Sequence, residues 1–193
     1  MSKESLTTPS AESLADRVRA AQGEGLPPVH DWDPEFTGDM DMRIARDGRW
    51  LHEGQRIERP GLVRLFSTIL RREGDDYFLV TPVEKYRITV DDAPFVAVDV
   101  EAEGEGRTQE LVFETNVGDR VAAGPEHPIR VERDAETGEP APYVLVRDGL
   151  EALIDRKSFY RLVDLGCHED GWFGLWAGGM FFRMIPSEEM PRE

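Results

Sequence analysis

The sequence predicts an α+β fold made from an internally duplicated strand-strand-helix-strand-strand module, with largely antiparallel sheets in two packed subdomains. Three observations carry this. Strand-like alternations outnumber helical stripes, and the helical stripes stand singly among them, which is the ordering of α+β chains. Short residue groups recur: Arg46-Asp47-Gly48 as Arg147-Asp148-Gly149, Arg59, Arg64 and Leu65 as Arg156, Arg161 and Leu162, Gly74 as Gly171, and Tyr86-Arg87-Ile88 as Phe182-Arg183-Met184. The offset slips only from 101 to 97 to 96, so the copies around residues 42–88 and 143–184 differ by short loop changes.

In the first copy, Met40, Met42 and Ile44 alternate with Asp39, Asp41 and Arg43, the period of a half-buried strand. Asp47-Gly48 is a hairpin signal, and residues 49–52 return as the second strand. Pro60 suits a first helical turn, and Leu62, Leu65, Phe66, Ile69 and Leu70 form a helical stripe ending at Gly74. Strands over residues 77–80 and 85–90 complete the module. The second copy repeats this: strand 143–146, turn Asp148-Gly149, a short strand near Ala152, helix 157–165 capped by Asp155 and ended by Gly166, then strands 172–176 and 180–184. Between the copies, residues 95–102, 110–116 and 128–133 read as strands, and residues 137–142 as an exposed loop.

The expected organisation is therefore a mobile tail with one weak helix over residues 1–25, a first module with its arm over 26–100, a β region plus second module over 101–186, and a tail over 187–193. In the first tail, Ser10 is a helix cap candidate, and Leu14, Val18 and Ala21 make a thin apolar stripe. Pro27-Pro28 and Pro34 keep the arm irregular, with Trp32 and Phe36 as its anchors.

Charge bounds the partners. A net charge of -16 argues against nucleic acid, whose binding draws on clustered Lys and Arg. Residues 42–88 nevertheless hold ten Lys or Arg against seven Asp or Glu, a local net of +3 that suits a small anionic ligand; pairing with acidic residues of the second half is the plainer reading. The opening residues Met1-Ser2-Lys3-Glu4-Ser5 contain no apolar stretch of a leader peptide, and no apolar run approaches a membrane span, so a cytoplasmic protein is expected. Cys167 is the one cysteine, which rules out an intrachain disulfide and any multi-cysteine metal site.

Nucleophilic catalysis has little support. No serine stands in a Gly-x-Ser-x-Gly elbow, and Cys167 follows a helix C-terminus beside Glu169 and Asp170, where a thiolate is disfavoured. No catalytic residue, metal ligand or cofactor is assigned. Asp39, Asp41 and Arg43 share one face of a strand, a spacing that can hold a cation, although such carboxylates more often simply face water. His30 with Asp31, and His168 with Glu169 and Asp170, read as solvated loops. The copies diverge at one connection: Thr81-Pro82-Val83-Glu84-Lys85 is rigid and polar, whereas Ala177-Gly178-Gly179-Met180-Phe181 is flexible and apolar. Ligand contacts are expected there, at Thr81, Glu84 and Lys85, with Asp39, Asp41, Arg43, His52 and Asn116, in a groove between the modules.

Three stretches, residues 38–48, 59–66 and 79–85, carry a resemblance. Together with Asp91-Asp92-Ala93-Pro94-Phe95, Thr115-Asn116-Val117-Gly118-Asp119 and His127-Pro128, they resemble an uncharacterised bacterial family, domain of unknown function 1285, over residues 28–184. The resemblance implies a duplicated α+β fold and a binding or signalling role, transfers no catalytic residue, and leaves an enzyme open. The function expected is a non-enzymatic ligand-binding or regulatory protein, in signal transduction. The alternatives are a metal-dependent hydrolase or transferase using Asp39, Asp41 and His52 or His127, and an acidic scaffold that holds a protein partner through Trp172 or Trp176.

Overall fold

The computed structural model describes residues 9–190. The chain divides into two compact units, Met1–Asp91 and Asp92–Glu193, whereas the sequence reading sets the boundary after residue 100.

The first unit begins with helix α1 (Ala11–Ala21), capped by Ser10, whose Oγ accepts the Ser13 N–H at 3.2 Å. Residues 1–8 of the expected tail lie outside the described residues. The helix itself is no loose tail: Leu14, Ala15 and Val18 are buried, since a narrow stripe suffices where a second helix meets it. The strands are β1 (Phe36–Ile44), β2 (Trp50–His52), β3 (Gln55–Arg56), β4 (Leu70–Glu73), β5 (Asp76–Val80) and β6 (Lys85–Val90), with helix α2 (Pro60–Ser67) after β3. They form one sheet in the order β3-β2-β1-β6-β5-β4, antiparallel except for the β1–β6 pair. Met42, Ile44, Trp50, Leu79 and Tyr86 fill its buried face, where Trp50 stacks on Phe66 of α2 with ring centroids 6.3 Å apart.

Helix α2 is shorter than its apolar spacing predicts. Ser67 and Thr68 turn their hydroxyls back onto the carbonyls of Arg64 and Leu65, each at 2.6 Å, competing with continued helix. Leu70–Glu73 then pairs with β5 as a strand, and Gly74, at φ 61°, makes the β4–β5 turn instead of a helix end. The module therefore has a third strand after its helix. In the arm, Pro27 and Val29 are the buried anchors; Trp32 is half-buried, and Phe36 remains 54% exposed.

The second unit contains β7 (Phe95–Glu103), β8 (Glu110–Thr115), β9 (Arg120–Ala122), β10 (Ile129–Arg133), β11 (Pro140–Arg147), β12 (Leu150–Ile154), helix α3 (Arg156–Leu165), β13 (Cys167–Glu169), β14 (Trp172–Ala177) and β15 (Met180–Pro186), then a 3-10 turn, Ser187–Glu189. Strands β9 and β13 and the start of β11 at Pro140 are not expected from the sequence; β13 takes His168 and Glu169, expected in a solvated loop, into pairing with β14. The element order of the first unit recurs here: hairpin, helix, three-stranded meander. The pairing differs. The β11–β12 hairpin lies between β10 and β7 in a six-stranded sheet, β10-β11-β12-β7-β8-β9, while β13-β14-β15 stands as its own sheet. In the first unit the hairpin strand β1 joins the meander through β6; here both hairpin edges are already taken.

The duplication holds at the level of single positions. Leu79 lies opposite Tyr86 across β5 and β6, and Leu175 lies opposite Phe182 across β14 and β15, all four buried. Asp155 caps α3 by accepting the Ser158 N–H at 2.8 Å, as expected. Gly166 follows in extended conformation, and its reason for being glycine is steric: a Cβ there would sit 2.2 Å from Cζ of Phe173.

Candidate functional site: the open face of the first sheet

The face of the first sheet opposite its helices carries a cluster of charged side chains. Along β1, Asp39, Asp41 and Arg43 are exposed while Met40, Met42 and Ile44 are buried, so the three polar residues share this open face. Register then sets their neighbours: Lys85 of β6 lies beside Phe36, and Arg87 lies beside Asp39 on one side and Phe78 on the other. Arg71 lies beside Phe78 on β4. Four of the expected residues, Asp39, Asp41, Arg43 and Lys85, are thus brought onto one surface.

Arg43, Arg71, Lys85 and Arg87 on this face are each held by a carboxylate of the same unit. Arg43 donates Nε and Nη2 to the two oxygens of Asp91, at 2.8 and 2.7 Å. Arg87 donates Nε to Asp39 at 2.7 Å, and its guanidinium lies 5.8 Å from the Phe36 ring centroid. The hydrogen bonds to Asp91 and Asp39 raise the pKa of Arg43 and Arg87. Lys85 donates Nζ to Glu73 at 2.6 Å and sits 4.5 Å from the Phe78 centroid. Glu73 takes Arg71 on its other oxygen at 2.5 Å, and the bond to Lys85 is the chief cause of its lowered pKa. Buried Arg71 also donates Nη1 to the carbonyls of Val29 and Trp32, at 3.0 and 2.7 Å, which fastens the arm along the β4 edge.

Beside Arg87 lies a polar groove of about 410 Å³ lined by Asp39, Asp75, Asp76, Tyr77, Arg87 and Thr89 among others. Arg87 is not among the residues expected from the sequence, although its place two residues after Lys85 on a strand puts it on the same face. Glu73 and Arg71 carry no such local signal, because the apolar spacing of Leu62 to Leu70 continues a helix through β4.

The other expected residues sit elsewhere. Thr81 is buried and its hydroxyl accepts the N–H groups of Val83 and Glu84, at 3.4 and 3.0 Å, which makes the Thr81–Lys85 connection rigid. Thr37 Oγ1 accepts the Lys85 N–H at 2.9 Å. Glu84 turns to the helix side, where one oxygen binds Arg17 of α1 and the Tyr86 hydroxyl, while its Oε2 is buried without a hydrogen-bond partner among the described residues. Burial, then the bond to Glu84, pushes the Tyr86 phenol up. His52 lies opposite Met42 and so belongs to the helix side of the sheet. Asn116 belongs to the second unit, where its Oδ1 accepts the Val96 N–H at 3.0 Å and its own N–H binds the Val96 carbonyl at 2.8 Å.

For the alternative readings, no group of three or more His, Cys, Asp or Glu among the described residues is placed to hold a metal ion. His127 meets the Leu145 carbonyl through Nδ1 at 3.0 Å, within the second unit. Trp172 and Trp176 are half-buried, with Arg183 and Arg107 lying over their rings at 5.3 and 4.9 Å. No helix among the described residues is long and apolar enough to cross a membrane.

Fold and face together define a duplicated α+β protein with a charge-paired open sheet. Residues 27–93 match the model described as "Domain of unknown function (DUF1285), N-terminal domain", and residues 94–184 match "Protein of unknown function (DUF1285), C-terminal domain". The crystal structure of a DUF1285 family protein from Silicibacter pomeroyi DSS-3 is 60% identical, with a TM-score of 0.91 over 96% of this chain and 100% of that one. A DUF1285 family protein from Shewanella baltica OS155 is 27% identical, with a TM-score of 0.51 over 65% of this chain and 91% of that one. No curated protein matches the chain. The chain belongs to the DUF1285 family.

Proposed function

We propose that this chain is a non-enzymatic, cytoplasmic ligand-binding protein with a regulatory role, and that its first unit holds a small anionic ligand on the open face of the first sheet. The observation that carries this reading is the register that sets Arg87 between Asp39 and Phe78, with Lys85 one step along and half-open Phe36 beside both. A phosphate or carboxylate of the ligand takes Arg87 from Asp39, an exchange of one exposed ion pair for another that costs little, because exposed pairs contribute at most about 1 kcal/mol. A flat or apolar part of the ligand lies on Phe36, an exposed aromatic residue.

Preorganisation supports the same reading. The Thr81–Lys85 connection is braced by its own threonine, and Lys85 is fixed by Glu73 and Thr37, so the cations are held before any ligand arrives. The matching connection in the second unit is a tight turn through Gly178 and Gly179, both at positive φ, with no charged side chain.

A thermal-shift screen of nucleotides, phosphorylated metabolites and acidic peptides tests this. A ligand at about 100 times its dissociation constant adds roughly 2.7 kcal/mol to stability, which such a screen detects easily. Anionic hits should lose their shift in Arg87→Ala and weaken with added salt. Hits that are all cationic or neutral, or that stabilise Arg87→Ala equally, contradict the proposal.

A further inference from the structure

We infer that the second unit carries a separate apolar site for an amphipathic monocarboxylate, a molecule with one anionic head and a hydrocarbon body. It shares no residue with the anion face of the first unit. The site is a groove of about 430 Å³ whose walls include Val131 of β10, Phe159 and Val163 of α3, Phe173 of β14, Ile185 of β15, and Met190. That volume lies within the range of about 300–1,000 Å³ that holds small organic ligands.

The groove follows from the way the duplicated module is paired. In the first unit the hairpin and the meander close into one sheet through the β1–β6 ladder. In the second, β10 and β15 are outer strands of different sheets, so apolar side chains line the seam where a ladder would have closed it. An inserted peptide strand is excluded by distance. Cα atoms of β10 and β15 approach within 8 Å, whereas a strand laid between two others needs about 9.5 Å, twice the spacing of neighbouring strands. The occupant is therefore a slender small molecule.

Its head group is set by the rim. Arg133 stands at the groove beside Glu189 of the terminal 3-10 turn, with Nη2 3.0 Å from Oε2, and both side chains are about half exposed. Glu189 thus occupies the place of a ligand carboxylate on Arg133. A ligand whose hydrocarbon fills the groove delivers its own carboxylate to the same guanidinium and displaces Glu189, an exchange without net change of charge pairing.

Calorimetric titration of the full chain with octanoate, decanoate and dodecanoate, and with the matching alcohols, tests the inference. Affinity of the acids should rise by about threefold to fourfold per added methylene until the groove is full. Arg133→Gln should weaken the acids by about tenfold while leaving the alcohols unchanged, and Glu189→Gln should strengthen the acids severalfold by freeing Arg133. Both substitutions are at exposed positions, so folding is retained. Absence of saturable binding at every chain length overturns the site. Equal loss of acids and alcohols in Arg133→Gln, or no gain in Glu189→Gln, overturns the assigned head group.

Discussion

Phe66 and Leu162 are the same position in the two copies: each lies seven residues beyond its helix N-cap, Arg59 and Asp155, and each is fully buried. The sequence recurrence pairs Leu162 with Leu65 instead, one residue off, and Leu65 is only half-buried. Phe66→Ala should therefore cost about 3–5 kcal/mol and Leu162→Ala about 2–5, with Leu65→Ala clearly less than either. Urea unfolding midpoints check the order. A Leu65 cost equal to that of Phe66 would mean that the helix face is wrongly assigned.

Helix α1 belongs to the core of the first unit. Leu14 is fully buried, and the helix is tied down by Arg17 to Glu84, by Arg59 to Glu12, and by Gln22 Nε2 to Thr68 Oγ1 at 3.3 Å. Leu14→Ala should destabilise by about 2–5 kcal/mol. A value within about 0.5 kcal/mol of zero, the range of surface substitutions, would restore the loose-tail reading.

These elements show how far the sequence carries. The Asp47-Gly48 hairpin, the Ser10 and Asp155 caps, and the alternation along β1 are local signals, and each reappears in the structure. So does the grouping of Asp39, Asp41 and Arg43, because a strand's period of two is enough to place them. What was illegible was nonlocal. Ile69 and Leu70 continue a helical spacing, yet pairing with β5 takes Leu70 into a strand. The parallel pairs β1–β6 and β7–β12 join segments far apart in the chain, and no residue in either strand announces its partner. Arg87 could have been found from alternation; Glu73 and Arg71 could not until β4 was known to be a strand.

Arg71 holds the proline-rich arm. Replacing it with Met should cost roughly 2–4 kcal/mol, since hydrogen bonds to a charged group contribute about 1.5–3 each and the freed carbonyls are partly rehydrated. Hydrogen exchange should show the loss at β4 and β5, and limited proteolysis should cut the arm between Pro28 and Pro34. Unchanged protection of both regions would contradict the fastening role.

Glu73 gives the acid response a local component. Its pKa is lowered by the bonds from Lys85 and Arg71 against the opposing effect of burial. A carboxyl depressed in the folded state stabilises above its unfolded value of about 4.3, and that stabilisation is lost as pH falls through the lower folded value. Glu73→Gln should therefore lower stability at neutral pH and narrow the gap from the parent in acid. A constant gap across this range would show that the pairing is energetically silent.

Gly166 is required by Phe173. In Gly166→Ala the new methyl meets the ring at 2.2 Å, so overpacking should cost about 1–3 kcal/mol. Phe173→Leu in the same chain should recover part of that loss. If the double variant is simply the sum of the two single ones, the close approach is relieved in some other way.

The proposed binding face of the first sheet is tested most directly by backbone amide chemical-shift mapping with an anionic hit from the thermal screen. Perturbations should concentrate at Phe36, Asp39, Lys85 and Arg87, and disappear in Arg87→Ala. Perturbations confined to the second unit, or retained in full in Arg87→Ala, would contradict the proposed face.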